Sequence, residues 1–134
     1  MTPEEIFQQM YSNDRFSKLL DIELVEISEG RCVLQMIITS EMLNGFDIAH
    51  GGITYSLADS ALAFASNSYG RKAVSIETSI SHTKPCKAGD VITASVTPIS
   101  VTSKIGIFNV EIKNQKEELV ATFKGTVYRT SSEY

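Results

Sequence analysis

Four segments in the second half of the chain alternate apolar and polar residues with a period of two: "AVSIETSISH" from Ala73, "VITASVTPIS" from Val91, "KIGIFNVEIK" from Lys104 and "LVATFKGTVYR" from Leu119. This rhythm puts alternate side chains on opposite faces of a strand, one face on a core and the other outward. The segments are separated by "TKPCKAGD", "SVTS" and "NQKEE", short connections that suit antiparallel neighbours. A fifth β-rich stretch, Ile22 to Thr39, is broken at Glu29-Gly30 and reads as a hairpin. Ile53 to Asn67, "ITYSLADSALAFASN", has another character: rich in Ala, Leu and Ser, free of Gly and Pro, and followed by Tyr69-Gly70. It predicts a helix whose apolar residues nearly encircle it, so burial is expected. Near the start, Thr2-Pro3-Glu4-Glu5 has the form of an N-cap, a first-turn proline and a capping-box glutamate, predicting a short helix to about Ser12. "SEMLNGFDIAHGG" is left as a loop.

The order is helix, hairpin, buried helix, then four strands, without repeats or linkers. An α+β fold follows, in which one curved antiparallel sheet of five to six strands wraps the only helix long enough to cover its apolar face. At 134 residues the chain is expected to form one domain, residues 1–134, with a single core. Hydrophobic residues at 43% and charged ones at 21% are ordinary globular usage. No apolar run is long enough to span a bilayer as a helix, and "MTPEEIFQQM" lacks the basic flank of a secretion signal. A cytoplasmic protein without membrane association is therefore expected. The balance of 12 basic and 16 acidic residues, with no dense lysine stripe, argues against a nucleic-acid partner. Cys32 and Cys86 have no metal-ligand spacing and are read as reduced thiols, with Cys86, between two lysines, a minor candidate for a lowered pKa. No metal is expected.

One residue does not suit its surroundings. Asp59 lies in the apolar helix, and no Lys or Arg occurs between Arg31 and Arg71. A carboxylate buried there without a cation meets a desolvation cost that raises its pKa, a cost common at active sites and also met in structural networks. His50-Gly51-Gly52 stands where the loop meets the helix. The first amides of a helix lack intrahelical partners and carry the positive end of the dipole, and glycine lets a ligand come close. Such a terminus can polarise a carbonyl; a plain tight turn is the competing reading. Gly51 and Asp59 are eight residues apart, about 12 Å along a helix. If both act on one carbon, they must come from different subunits of a homodimer.

The pattern Asn44-Gly45, His50-Gly51-Gly52, then Asp59 in "LADSALAFASNS", with "KPCKAGDVITASV" and "ATFKGTVYRT" beyond, resembles the PaaI-type branch of the hotdog-fold acyl-CoA thioesterases over nearly the whole chain. The resemblance implies hydrolysis of a small, often aromatic, acyl-CoA, with coenzyme A entering only as part of the substrate. It implies Asp59 as nucleophile or general base, Gly51 as amide donor to the thioester carbonyl, and Asn44 and His50 as residues that orient the site. It also implies hotdog dimers that pair into a dimer of dimers, a homotetramer. Two positions depart from the expected pattern: Phe46, where a His often follows Asn-Gly, and His82, where an apolar residue is usual. Both are candidates to touch substrate, together with Gly52. One of Thr78 and Ser79 is expected to face the cleft, since neighbours on a strand point to opposite sides. Arg71, Lys72, Lys84 and Lys87 are candidates for the coenzyme phosphates. A non-catalytic acyl-CoA or lipid-binding module, and a hydratase or dehydratase using His50 with Asp59, are the alternatives.

Overall fold

The computed structural model describes all 134 residues. The first helix, α1, spans Pro3–Ser12, and its capping box is formed as expected: Glu5 N–H donates to Thr2 Oγ1 at 3.1 Å and Thr2 N–H to Glu5 Oε1 at 2.9 Å. A short helix that the pattern did not predict, α2 (Arg15–Leu19), follows at once, capped by Asp14, which accepts from Ser17 N–H. Five residues are too few to display helical periodicity, so only the cap could have signalled it. The hairpin is β1 (Glu23–Ser28) and β2 (Arg31–Ile37), turning at Gly30 with φ of 77°, a value glycine adopts without strain. The stretch read as plain loop contains a 3₁₀ turn, Ser40–Met42, and a single bridge pairing Leu43 with Ala49.

The long helix α3 runs Gly51–Asn67, so both glycines lie inside it and His50 is its cap. The remaining strands are β3 (Arg71–His82), β4 (Val91–Val101), β5 (Ile105–Lys113) and β6 (Leu119–Glu133). All six strands form one antiparallel sheet in the order β1-β2-β4-β5-β6-β3. Leu57, Ala58, Ala61, Leu62 and Ala65 of α3 are fully buried against the sheet with Leu34, Phe108, Val110 and Phe123. The helix sits so close that a Cβ on Gly125 of β6 would collide with Leu62.

Two expectations need correction. The helix is not enclosed all round: a stripe of Gly52, Ser56, Asp59, Ser60 and Ala63 stays partly open, because the sheet covers one side of a helix and α1 and α2 cover only part of the other. Nor does β3 alternate cleanly. Its pairing with β6 shifts between Ser75 and Glu77, and as an edge strand it leaves Val74 58% and Ile76 59% exposed. A bulge changes which residues face inward, and an edge has unpaired backbone groups along one side.

Candidate active site

The amino end of α3 is fixed by the loop before it. Asn44 Oδ1 accepts from Phe46 N–H at 2.9 Å, Ala49 N–H reaches Cys86 O at 2.8 Å, and His50 N–H reaches Met42 O at 2.8 Å. His50 Nδ1 accepts from Gly52 N–H at 2.9 Å, so the imidazole caps the helix and the Gly52 amide is occupied. The Gly51 N–H, first in the helix, has no acceptor within the chain. It is the amide left for a ligand.

His82, at the far end of β3, lies against this glycine: a Cβ on Gly51 would stand 3.2 Å from His82 Nε2. Its Nδ1 is 3.2 Å from the hydroxyl of Thr54, which also donates to Gly51 O at 3.1 Å. Asn44, Gly51, Thr54, His82, Lys84 and Cys86 line one cavity of about 400 Å³. Thr54, buried one turn into the helix, was not singled out from sequence, although three residues after Gly51 is the spacing that returns a side chain to the same face.

Asp59 opens elsewhere. With Met10, Asn67, Lys72, Val127 and Tyr134 it lines a second cavity, of about 430 Å³, beside residues 72–75 of β3. Burial raises its pKa above the ordinary carboxylate value, and the Asp14 carboxylate adds to the rise; no cation or hydrogen bond offsets them. A carboxyl in this state binds a proton more readily than a solvated one, which makes it a stronger base once ionised.

The other candidates are spread out. His50 and Gly52 border a third hollow, next to Phe16 and Ser56. Phe46, at the tip of the loop, is 86% exposed. Thr78 faces α3, its hydroxyl bonded to the Tyr55 hydroxyl. Ser79 pairs with Lys124 on the other face of the sheet, so of the two it is Thr78 that faces the helix. Arg71 bonds Ser103 O at the start of β3, whereas Lys84 follows its end and pairs with Glu118 at 3.1 Å. At about 3.3 Å per residue the two ends of β3 are some 36 Å apart, so Arg71 and Lys84 do not form one basic mouth within a chain. Lys87 sits in the β3–β4 turn, its N–H bonded to Asp90. The suggestion of a lowered pKa at Cys86 is overturned, because its thiol is buried and pushed upward by desolvation, with Asp90 adding to it. Cys32 is pushed to about 12 by burial alone. No group of three or more His, Cys, Asp or Glu side chains is placed to hold a metal ion.

Comparison with known proteins identifies the fold and the family. Residues 46–121 match the family model of the thioesterase superfamily. The acyl-coenzyme A thioesterase PaaI of Escherichia coli is 40% identical over 120 residues, covering 90% of this chain and 86% of that protein. The solved structure of the E. coli PaaI protein from the phenylacetic acid degradation operon superposes with a TM-score of 0.96 at 37% identity, over 98% of this chain and 95% of that one. A Streptococcus mutans protein solved bound to acetyl CoA superposes with a TM-score of 0.81 at 25% identity, over 84% and 91% of the two chains. The chain belongs to the thioesterase superfamily, has the hotdog fold, and is a thioester hydrolase. Within that superfamily the resemblance to the PaaI-type branch holds over nearly its whole length.

Proposed function

We propose that this protein hydrolyses a small aryl- or short-chain acyl-CoA, of the phenylacetyl kind, at sites shared between two subunits. The observation that carries the reading is the division of the candidate groups between two cavities that lie at opposite ends of the same edge strand. The Asp59 cavity adjoins residues 72–75 of β3; the Gly51 cavity adjoins His82, where the strand ends. If β3 pairs antiparallel with β3 of a second copy about a two-fold axis near Glu77 and Thr78, each Asp59 cavity meets the partner's Gly51 cavity. The exposed Val74 and Ile76 and the unpaired edge of β3 support that pairing, since an uncovered apolar edge strand is otherwise a liability, and a two-fold axis makes the contact self-complementary.

In the shared site the Gly51 N–H donates to the thioester carbonyl oxygen and stabilises the charge that develops there. Asp59 of the other subunit either attacks the carbonyl carbon, releasing the coenzyme A thiolate and leaving an acyl-aspartyl anhydride for water to cleave, or takes the proton of a water that attacks directly. A thiolate leaves readily at neutral pH, so no strong acid is demanded of the protein. Asn44 and His82 line the carbonyl side, Thr78 braces Tyr55 below it, and His50 acts through the cap that leaves the Gly51 amide free. Phe46, exposed in one subunit, closes over the acyl group of the other. The same pairing draws Arg71 of one subunit toward Lys84 and Lys87 of its partner, giving the coenzyme phosphates cations that no single chain gathers. The aromatic preference is supported by the operon from which the E. coli relative comes. A second apolar face, where Leu19 and Ile37 border a hollow of about 850 Å³, suits pairing of dimers into a tetramer. A cytoplasmic location is consistent with two buried free thiols.

The test is thiol release from a panel of aryl, short-chain and long-chain acyl-CoAs, comparing native protein with Asp59→Asn at matched folded concentration. Release that depends on Asp59 supports the reading, and the ranking of acyl groups names the substrate. Binding without release from any member of the panel contradicts it.

A further inference from the structure

We infer that Tyr134 is the residue that sets how large an acyl group the Asp59 cavity accepts. This rests on the assignment of Asp59 to the reacting centre. Tyr134 follows the last strand, where a loose side chain would be ordinary, yet three contacts hold it. Its N–H donates to Gly70 O at 3.1 Å, its hydroxyl donates to Asn67 Oδ1 at 2.6 Å, and the Lys72 ammonium lies 5.6 Å from the ring centroid. Asn67 is itself held on several sides: only 2% exposed, it donates to Ala63 O at 2.8 Å and Ala73 O at 3.1 Å and accepts from Ala73 N–H at 3.0 Å. The ring is thus anchored to the seam between α3 and β3.

That seam is one wall of the cavity onto which Asp59 opens, and Met10 of α1 contributes to its lining. The lining is mainly apolar, with Leu62, Ala63, Val74 and Val127, and its single cation, Lys72, is engaged with the Tyr134 ring. Such a surface suits the acyl part of a thioester and not the phosphates of its carrier. The cavity is open on one side, and its volume of about 430 Å³ exceeds the roughly 150 Å³ in which a closed apolar cavity holds a benzene ring, which leaves room for an arylacetyl group. Tyr134 lines it together with Asp59, so the acyl length accepted is the length that fits beside the tyrosine. The backbone bond to Gly70 O and the Lys72 ammonium over the ring do not depend on the hydroxyl, so the bulk of the ring, with or without its bond to Asn67, sets the limit on length.

The experiment compares kcat/KM for acetyl-, phenylacetyl- and decanoyl-CoA in native protein, Tyr134→Ala, Tyr134→Phe and Met10→Trp, each checked for native secondary structure and assembly. Tyr134→Ala is expected to raise the decanoyl to phenylacetyl ratio at least tenfold. Tyr134→Phe, which keeps the ring, is expected to hold that ratio within about threefold of native. Met10→Trp narrows the cavity from α1 and is expected to lower phenylacetyl relative to acetyl turnover, a readout that stands if Tyr134→Ala does not fold. An unchanged ratio in folded Tyr134→Ala, or an unchanged one in Met10→Trp, overturns the inference. So does a shift in Tyr134→Phe as large as in Tyr134→Ala, because the tether to Asn67 and not the ring would then be responsible. Asp59→Asn separates the two levels: retained turnover in that variant contradicts the mechanism itself, whatever Tyr134 does.

Discussion

The amino end of α3 and its middle present their functional groups in opposite ways. At the amino end nearly every polar group is satisfied: Asn44 closes its turn, His50 caps Gly52, and Thr54 links Gly51 to His82. The Gly51 N–H, first in the helix, is left without an acceptor in the chain. Eight residues on, Asp59 is half-buried with neither a hydrogen bond nor a cation, and a like charge on Asp14 adds to its cost. The first region is stable because its geometry is over-determined; the second is kept at a cost in stability. In the proposed mechanism a carbonyl reaction draws on a rigid donor from one side and a costly base from the other, and the difference would then separate groups that hold a site from the group that works in it.

The largest effect should come from the strained side. Asp59→Asn keeps the shape of the side chain and is expected to lower kcat by two or more orders of magnitude with KM changed little, as for a group used mainly in the transition state. Thiol release at saturating substrate checks it. At the rigid end, Gly51→Ala keeps the amide but brings a Cβ to 3.2 Å from His82 Nε2; displacing donor or imidazole is expected to cost about 10- to 100-fold in kcat, measured the same way.

Smaller effects sharpen the contrast. In the proposed mechanism Asp59 acts ionised, so kcat/KM is expected to fall on the acid side with a limb above the ordinary carboxylate range, because burial and Asp14 raise its pKa. Asp14→Asn removes the like charge and should move that limb to lower pH, which a pH-rate profile would detect. Asp14 also caps α2, so Asp14→Ser, which keeps a capping oxygen without the charge, should shift the limb equally.

The smallest effect is on stability. A carboxylate whose pKa is raised in the folded state binds more protons there than in the unfolded chain, so it destabilises as pH rises through the window between its unfolded and folded values. Above that window the penalty is fully present; below the unfolded value, near pH 4, it is absent. Asp59→Asn is therefore expected to raise the melting midpoint at about pH 7 and leave it unchanged at about pH 3, by thermal unfolding followed by circular dichroism.

Much of this was legible in the residues. Period-two alternation is strong evidence for a half-buried strand, and β4, β5 and β6 fall where it places them. The first helix was readable from its capping box alone. The placement of β3 was not, because its partner β6 lies beyond β4 and β5 in sequence, and alternation says nothing about which distant strand a segment joins. The same gap hid the bulge and the exposed edge. Asp59 stood out as a lone carboxylate in an apolar helix and Gly51 by its place where the loop meets that helix, whereas Asn44 and His82 were reached through the resemblance to the hotdog thioesterases. Tyr134, Met10 and Asn67 did not, because each is ordinary where it occurs, and only the packing of α1 and the tail of β6 about α3 brings them to one cavity. The separation of Arg71 from Lys84 has the same origin: both are basic residues near turns, and only the length of β3 sets them apart.

The most direct test of a site built from two subunits is complementation. Asp59→Asn and a Gly51→Val variant, each assembled and nearly inactive alone, would be dissociated, mixed in equal amounts and reassociated. If Asp59 of one subunit works with Gly51 of the other, half the random dimers are mixed and each of those contains one intact site. Thiol release should then recover to about a quarter of the native value. Activity that remains at the average of the two parents, with exchange of subunits confirmed, would place Asp59 and Gly51 in the same chain's site and contradict the account.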